Sequence, residues 1–301
     1  MAVRIEKVAW GGWPNCYRAA NDQVELIVTA DTGPRIIRYA FLDGENHFLE
    51  IPDQFGQSGE PGFRPRGGHR LWTAPEQFPR TYEADNHPVA IEVQGATLIA
   101  TAPVESCGIQ KQLLVRMAGV GAAVTVIHRL QNALAWPIKV AAWALTMMAP
   151  GGVGITGFPP RGTHPEQLAP THPLVMWAFT DLSDPRWTLT RKHVLLRQDA
   201  ARPAPTKIGL FNERTWGGYW RNGELFLKRC DAESSRTYPD FGASYETFAN
   251  GATLELETLS PLTLLDPGAR LEHVERWSLH SGITFHAWTD EELDNTIGPL
   301  L

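Results

Sequence analysis

Apolar residues, many of them β-branched, gather in short runs between turn signals, and in places they alternate with polar positions at a period of two. The runs 24–30 (VELIVTA), 35–41 (RIIRYAF), 89–94 (VAIEVQ) and 97–102 (TLIATA) open the series. QKQLLVRM, AAVTVIHRL and IKVAAWALTMM continue it, and 224–229 (ELFLKR), ATLELETL and LEHVERWSLH carry it to the end. Turns are marked by NDQ (21–23), DGEN (43–46), QG (94–95), NG at 222–223 and 250–251, and PG at 267–268. Only TDEELDN reads as a helix, with Thr289 or Asp290 as its cap and acids in its first turn. Nothing repeats at a fixed period, which argues against a propeller or solenoid. The pattern predicts an all-β sandwich or barrel-like fold in one domain over 1–301. The stretches 52–86 and 149–174 lack the alternation, are rich in Gly and Pro, and are expected to be long ordered loops.

Composition narrows the partners. A hydrophobic share of 43% and a charged share of 20% suit a soluble protein with a sizeable core. A net charge of -6 argues against a nucleic-acid backbone as main partner. Cys16, Cys107 and Cys230 are odd in number and widely spaced, so they read as free thiols rather than a disulfide framework or metal site. The start MAVRIEKVAW lacks the apolar run of a signal peptide, and VAAWALTMMAP is too short to span a bilayer. A cytoplasmic protein, with no membrane partner, is expected.

Strand alternation sorts the candidate chemistry. His128 shares a face with Val124, Val126 and Leu130, which reads as a hydrogen-bonded core histidine. Glu255 and Glu257 share the face opposite Leu254 and Leu256. On a solvated face they are ordinary surface acids; in a cleft, like charges that close would raise one pKa and make an acid–base candidate. The segment 64–82, RPRGGHRLWTAPEQFPRTY, fits neither a helix nor a regular strand and reads as a loop. There His69 offers a proton carrier, Arg70 a donor fork and Trp72 a flat face for a sugar; the structural alternative is a loop pinned by Trp72, with Arg70 paired to an acid. The histidines show no metal-ligand spacing, and neither a GxSxG elbow nor a P-loop is present. GGVGITG (151–157) precedes no helical pattern, so a phosphate cradle is not expected there.

The segment 254–279, LELETLSPLTLLDPGARLEHVERWSL, resembles the C-terminal signature of the galactose mutarotase-like superfamily, which includes aldose 1-epimerases. NDQVELIVTADTGPRIIRYAF resembles its first strands, and RLQNALAWPIKVAAWALTMMAPGG its central strand pair. GGHRLWTAPE and ETLSPL resemble an uncharacterised bacterial branch of that superfamily. The resemblance implies a large antiparallel β-supersandwich of one domain. It also implies a cofactor-independent, metal-free site in which Glu257 removes the anomeric proton and His69 protonates the ring oxygen. Trp143 stands near the place of the family's second histidine.

Arg70, Trp72, Arg35, Trp143, His128 and Lys207 are then the candidate sugar contacts. Lys207 would add positive charge for an acidic sugar, its bland reading being a surface lysine. Three readings follow: an epimerase-type enzyme on a small carbohydrate; a glycosidase or lyase pairing Glu257 with Glu246 or Asp240, Glu255 being a further acid; and a non-catalytic sugar-binding protein. A monomer or homodimer is expected.

Overall fold

A computed structural model describes residues 3–301. Two antiparallel sheets face each other. The eleven-stranded sheet runs in the order Arg4–Trp10, Trp13–Ala20, Val24–Thr29, Arg35–Phe41, His69–Ala74, Ile138–Met148, Leu254–Leu259, Tyr245–Ala249, Thr206–Leu210 and Leu174–Met176, with Thr263–Leu265 pairing beside Ile138–Met148. The ten-stranded sheet runs Trp187–Leu189, His193–Arg197, Val153–Gly157, Arg214–Arg221, Glu224–Asp231, Arg270–Ser281, Val124–Asn132, Ile109–Met117, Thr97–Val104 and Ala90–Gln94. The expected supersandwich is the observed architecture.

The main core lies between the sheets and includes Leu26, Val28, Leu71, Val126, Leu256 and an aromatic group of Tyr39, Phe48, Phe226 and Trp277. Strands with one solvated face keep a clean alternation, as in Val124–Asn132 and Arg270–Ser281. The single α-helix among the described residues, Asp290–Ile297, closes the outer face of the ten-stranded sheet. Thr289 is its cap, accepting the Glu292 N–H at 3.3 Å. Leu293 and Ile297 are buried against Trp216, Leu225 and Leu227, each contributing about 2 kcal/mol by leaving water. No helix among the described residues is long and apolar enough to cross a membrane.

Two expected loops contain strands. The stretch 52–86 holds His69–Ala74, and 149–174 holds Val153–Gly157. Both are buried along their whole length, so polar and apolar residues have no solvated face on which to alternate. The paired glycines before His69 have a backbone cause. Gly67 and Gly68 have φ of +73° and +70°, and a Cβ would lie 1.9 Å from the Leu49 carbonyl oxygen at Gly67 and 2.3 Å from that of Ile36 at Gly68. Only glycine lets the chain enter the middle of the sheet here.

Candidate functional site

Register decides which side chains meet. His69–Ala74 pairs with Ile138–Met148, which pairs with Leu254–Leu259, which pairs with Tyr245–Ala249. Arg70, Leu145, Glu257 and Glu246 therefore form one row across four strands, on the outer face. Trp72 with Trp143, and Met147 with Glu255, occupy the flanking rows of that face. His69, Thr146 and Leu256 form the neighbouring row and point between the sheets.

Lys207 is the centre of the outer cluster. Its Nζ lies 2.7 Å from Glu246 Oε2 and 2.8 Å from Glu257 Oε2. The indoles of Trp143 and Trp177 flank the ammonium, with centroids at 4.7 Å and 4.6 Å. Trp143 Nε1 also donates to Glu257 Oε2 at 2.7 Å. Gly209 faces Glu246 in the adjacent strand, and a Cβ there would come within 3.3 Å of the Trp177 ring. Arg70 stacks over Trp72 at 4.3 Å, with Nη1 3.1 Å from Met147 Sδ and Nη2 3.5 Å from Glu255 Oε1. Phe63 and Tyr82 pack edge-on against Trp72 and close the aromatic wall. The charged groups are nearly enclosed; of Arg70, Lys207, Glu246, Glu255 and Glu257, Glu255 keeps the most contact with solvent, at 11% of its side-chain surface.

Burial pushes the Glu246 carboxyl well above the usual carboxylate range, outweighing the pull of Lys207. Burial also raises Asp240, opposed by a hydrogen bond with Glu246 and the charge of Lys207, and raises Glu255 against the charge of Arg70. Burial alone would depress Lys207, but Glu246 and Glu257 more than offset it and hold the ammonium charged. The net arrangement is a carboxyl pushed above its usual range beside a second carboxyl, both on one lysine ammonium. Beyond Lys207 and Asp240, Glu246 has no hydrogen-bond partner among the described residues, and Glu257 Oε1 has none. These are the atoms a ligand hydroxyl could satisfy.

The expectation that His69 and Glu257 share a cleft is corrected by the register. His69 is fully buried on the opposite face. Its Nε2 lies 2.7 Å from His128 Nε2, and its Nδ1 2.8 Å from Thr146 Oγ1. His128 Nδ1 is 3.0 Å from the His273 carbonyl oxygen, which can only accept, so His128 Nε2 is the acceptor and His69 Nε2–H the donor. Thr146 then donates to His69 Nδ1 and accepts from Lys228, 3.1 Å away. Lys228 is neutralised by Glu275 at 2.7 Å, which Trp277 Nε1 and Thr258 also bond. Burial lowers the pKa of both His69 and His128, as this neutral chain of bonds requires. His69, His128 and Glu275 bring ligand atoms within 4.8 Å of one another, as metal ligands would, yet each is already paired and Lys228 supplies the counter-charge.

Arg35 is also removed from the outer cluster. Fully buried, it donates to the carbonyls of Pro65 and Gly67 and pairs with Asp85 at 3.2 Å, fixing the approach to His69. His128 is a core histidine, as alternation predicts. Lys207 is buried rather than a surface lysine. Arg70, Trp72, Trp143, Glu246 and Glu255 do join Glu257, and Asp240 lies close enough to Glu246 to bond it. Trp177, Phe63, Tyr82 and Met147 were not singled out from the sequence; their one signal is aromatic or sulfur character inside stretches that lack alternation or on the Glu255 face.

No protein-family model matches the chain, and no curated protein matches it by sequence. Solved structures do match. YeaD from Salmonella typhimurium superposes with a TM-score of 0.59 at 9% identity, over 93% of this chain and 94% of that one. A galactose mutarotase-like protein from Lactobacillus casei matches with a TM-score of 0.52 at 11% identity, over 88% of this chain and 100% of that one. A TPR-domain containing protein from Parabacteroides distasonis matches at 0.57 and 13% identity, where this chain covers 90% of itself but spans 47% of that chain. The fold is the galactose mutarotase-like sandwich.

Proposed function

We propose that the chain acts on a small carbohydrate at the outer face of the eleven-stranded sheet, exchanging anomers with Glu257 as base and Glu246 as acid. The observation that carries this reading is the in-register Glu246–Glu257 pair bound to one lysine, with burial pushing the Glu246 carboxyl above its usual range. Splitting the protonation of two neighbouring carboxyls is how one site supplies both an acid and a base. The spacing suits the chemistry, because the anomeric hydroxyl and the ring oxygen are bonded to the same carbon. Glu257 would take the proton of the anomeric hydroxyl while Glu246 gives its proton to the ring oxygen. The C1–ring oxygen bond breaks, leaving an aldehyde and a hydroxyl. After rotation about C1–C2 the hydroxyl adds back to the other face of the carbonyl. Its proton returns to Glu246, and the carbonyl oxygen regains one from Glu257. Acid–base work of this kind contributes about 10²–10⁴-fold in rate.

The test is NMR magnetisation exchange between α and β anomers across a panel of aldoses. Glu257→Gln and Glu246→Gln should each slow the exchange by about 100-fold or more. A wild-type protein that leaves every anomerisation rate at its uncatalysed value would sink the proposal.

A second reading, binding without turnover, is favoured by one observation: Glu257 has no exposed surface and is tied to Lys207 and Trp143. Saturable sugar binding by titration calorimetry, with no anomer exchange, would select it. Glycoside cleavage by the same pair has less support. Both carboxyls clamp a single Nζ, so the lysine occupies the gap in which a glycosidic bond would sit.

A further inference from the structure

A wide recess lies on the other side of the molecule, on the outer face of the ten-stranded sheet. It has a volume of about 870 Å³, and its walls include Gly157, Trp216 and the helix Asp290–Ile297. That volume is in the range of small-molecule pockets, which run to about 300–1,000 Å³, and far exceeds what a bare ion needs.

Its charge is opposite to that of the chain, whose net charge is -6. Six cationic side chains line it: Arg161, Arg191, Lys192, Arg214, Arg229 and Arg276. Three have partners. Lys192 pairs with Asp294, Arg276 with Asp231 at 2.9 Å, and Arg229 donates to the Leu301 carbonyl oxygen. Asp290 accepts the backbone N–H groups of Arg191 and Lys192 and binds the His193 ring, without meeting the Arg191 guanidinium. Arg161, Arg191 and Arg214 have no carboxylate partner among the described residues.

The floor adds an apolar face with a free donor. Trp216 is buried, yet its indole N–H makes no hydrogen bond among the described residues. Gly157 keeps that edge open, since a Cβ there would lie 2.9 Å from Trp216 Nε1.

We propose that this recess binds a phosphate monoester, the phosphoryl group on Arg161, Arg191 and Arg214 and the organic part over Trp216. Guanidinium forks match the oxygens of a tetrahedral dianion and stay charged at every physiological pH. The aromatic floor and the size of the recess favour an ester over the free anion.

The experiment is titration calorimetry at low salt and constant ionic strength, using glucose 6-phosphate, inorganic phosphate and glucose as probes. Glucose 6-phosphate should bind saturably with a Kd of about 1 mM or below, inorganic phosphate more weakly, and glucose should not compete. The double variant Arg191→Gln/Arg214→Gln changes exposed side chains and should fold normally, as checked by circular dichroism; it should weaken ester binding by about 10-fold or more. Glu257→Gln should leave that affinity unchanged. Absence of saturable binding of both phosphates up to about 10 mM would overturn the proposal. So would ester binding that the arginine double variant does not move or that Glu257→Gln abolishes, since the ester would then sit at the other site.

Discussion

Replacing Lys207 by methionine isolates the electrostatics of the outer cluster from any question of turnover. Methionine keeps the unbranched stem and stays between the Trp143 and Trp177 indoles, whose centroids lie 4.7 Å and 4.6 Å from the ammonium, so little packing is lost. What is lost is the cation bound to both Glu246 and Glu257, whose side chains have no exposed surface. Removing one partner of a buried ion pair typically costs about 3–5 kcal/mol, and solvent does not screen a pair so enclosed. The variant has a way to limit that loss: the folded carboxyl pair can hold one proton more than it does with Lys207 present.

The sign of the pH dependence follows. Above the ordinary carboxylate range the unfolded chain has released that proton and the folded variant has not. The folded state then binds more protons, and stability falls as pH rises, by about 1.4 kcal/mol per pH unit for one proton. The gap between wild type and Lys207→Met should be smallest near pH 5 and widen toward pH 8. Urea unfolding of both proteins at intervals across that range measures it. A variant within about 1 kcal/mol of wild type at pH 8, or a gap that does not change with pH, would refute the assignment of Lys207 as the counter-charge of a buried pair.

Three further outcomes are expected. Gly67→Ala, which forces a side chain onto the Leu49 carbonyl at positive φ, should cost about 3 kcal/mol or more or prevent folding, read by urea unfolding and soluble yield. Trp143→Phe keeps a ring over Lys207 but removes the N–H that Glu257 accepts, and should lower unfolding free energy by about 1.5–3 kcal/mol in the same assay. Burial lowers the pKa of His47 to about 4 and of His273 to about 3, and lowers His69 and His128 as well. Below about pH 6.5 the unfolded chain binds protons that these folded histidines do not, so His47 and His273 each cost about 2 kcal/mol at pH 5 and His69 and His128 act in the same sense, offset in part by Glu246, whose raised carboxyl acts in the opposite sense. Imidazole NMR shifts of these four residues should stay constant from pH 8 to about 5.5, and midpoints near 6.5 would contradict the buried network.

The supersandwich was legible because short β-branched runs stand between turn signals, and because strands with one wet face, such as Val124–Asn132 and Arg270–Ser281, write a period of two into the sequence. Alternation also paired Glu255 with Glu257 and put His128 in the core, as observed. It failed where both faces are dry. In His69–Ala74 all six residues are buried, and His, Arg, Trp and Thr follow one another without a pattern. Read as a loop, that segment let His69 and Arg70 be aimed at one cleft. Read as a strand, it forbids this, because consecutive side chains leave on opposite faces. Lys207 was hidden for a different reason. Its partners lie nearly forty and fifty positions further along the chain, and no local signal marks a lysine that a sheet will pair across strands.

The two polar clusters are therefore back to back through one sheet, and the inner one bears on the outer. Lys228 donates to the carbonyls of Ala144 and Leu256 and to Thr146, while His69 bonds Thr146 and His128. These bonds tie the three central strands of the eleven-stranded sheet to His128, Lys228 and Glu275 of the ten-stranded one. Each inner residue is one step along its strand from an outer one: His69 precedes Arg70, Leu256 precedes Glu257, and Ala144 follows Trp143. A shift of the inner groups would move the outer row with them. His69 is thus linked to Arg70 through one backbone step, on the opposite face, and its ring bonds Thr146 and His128 rather than Glu257.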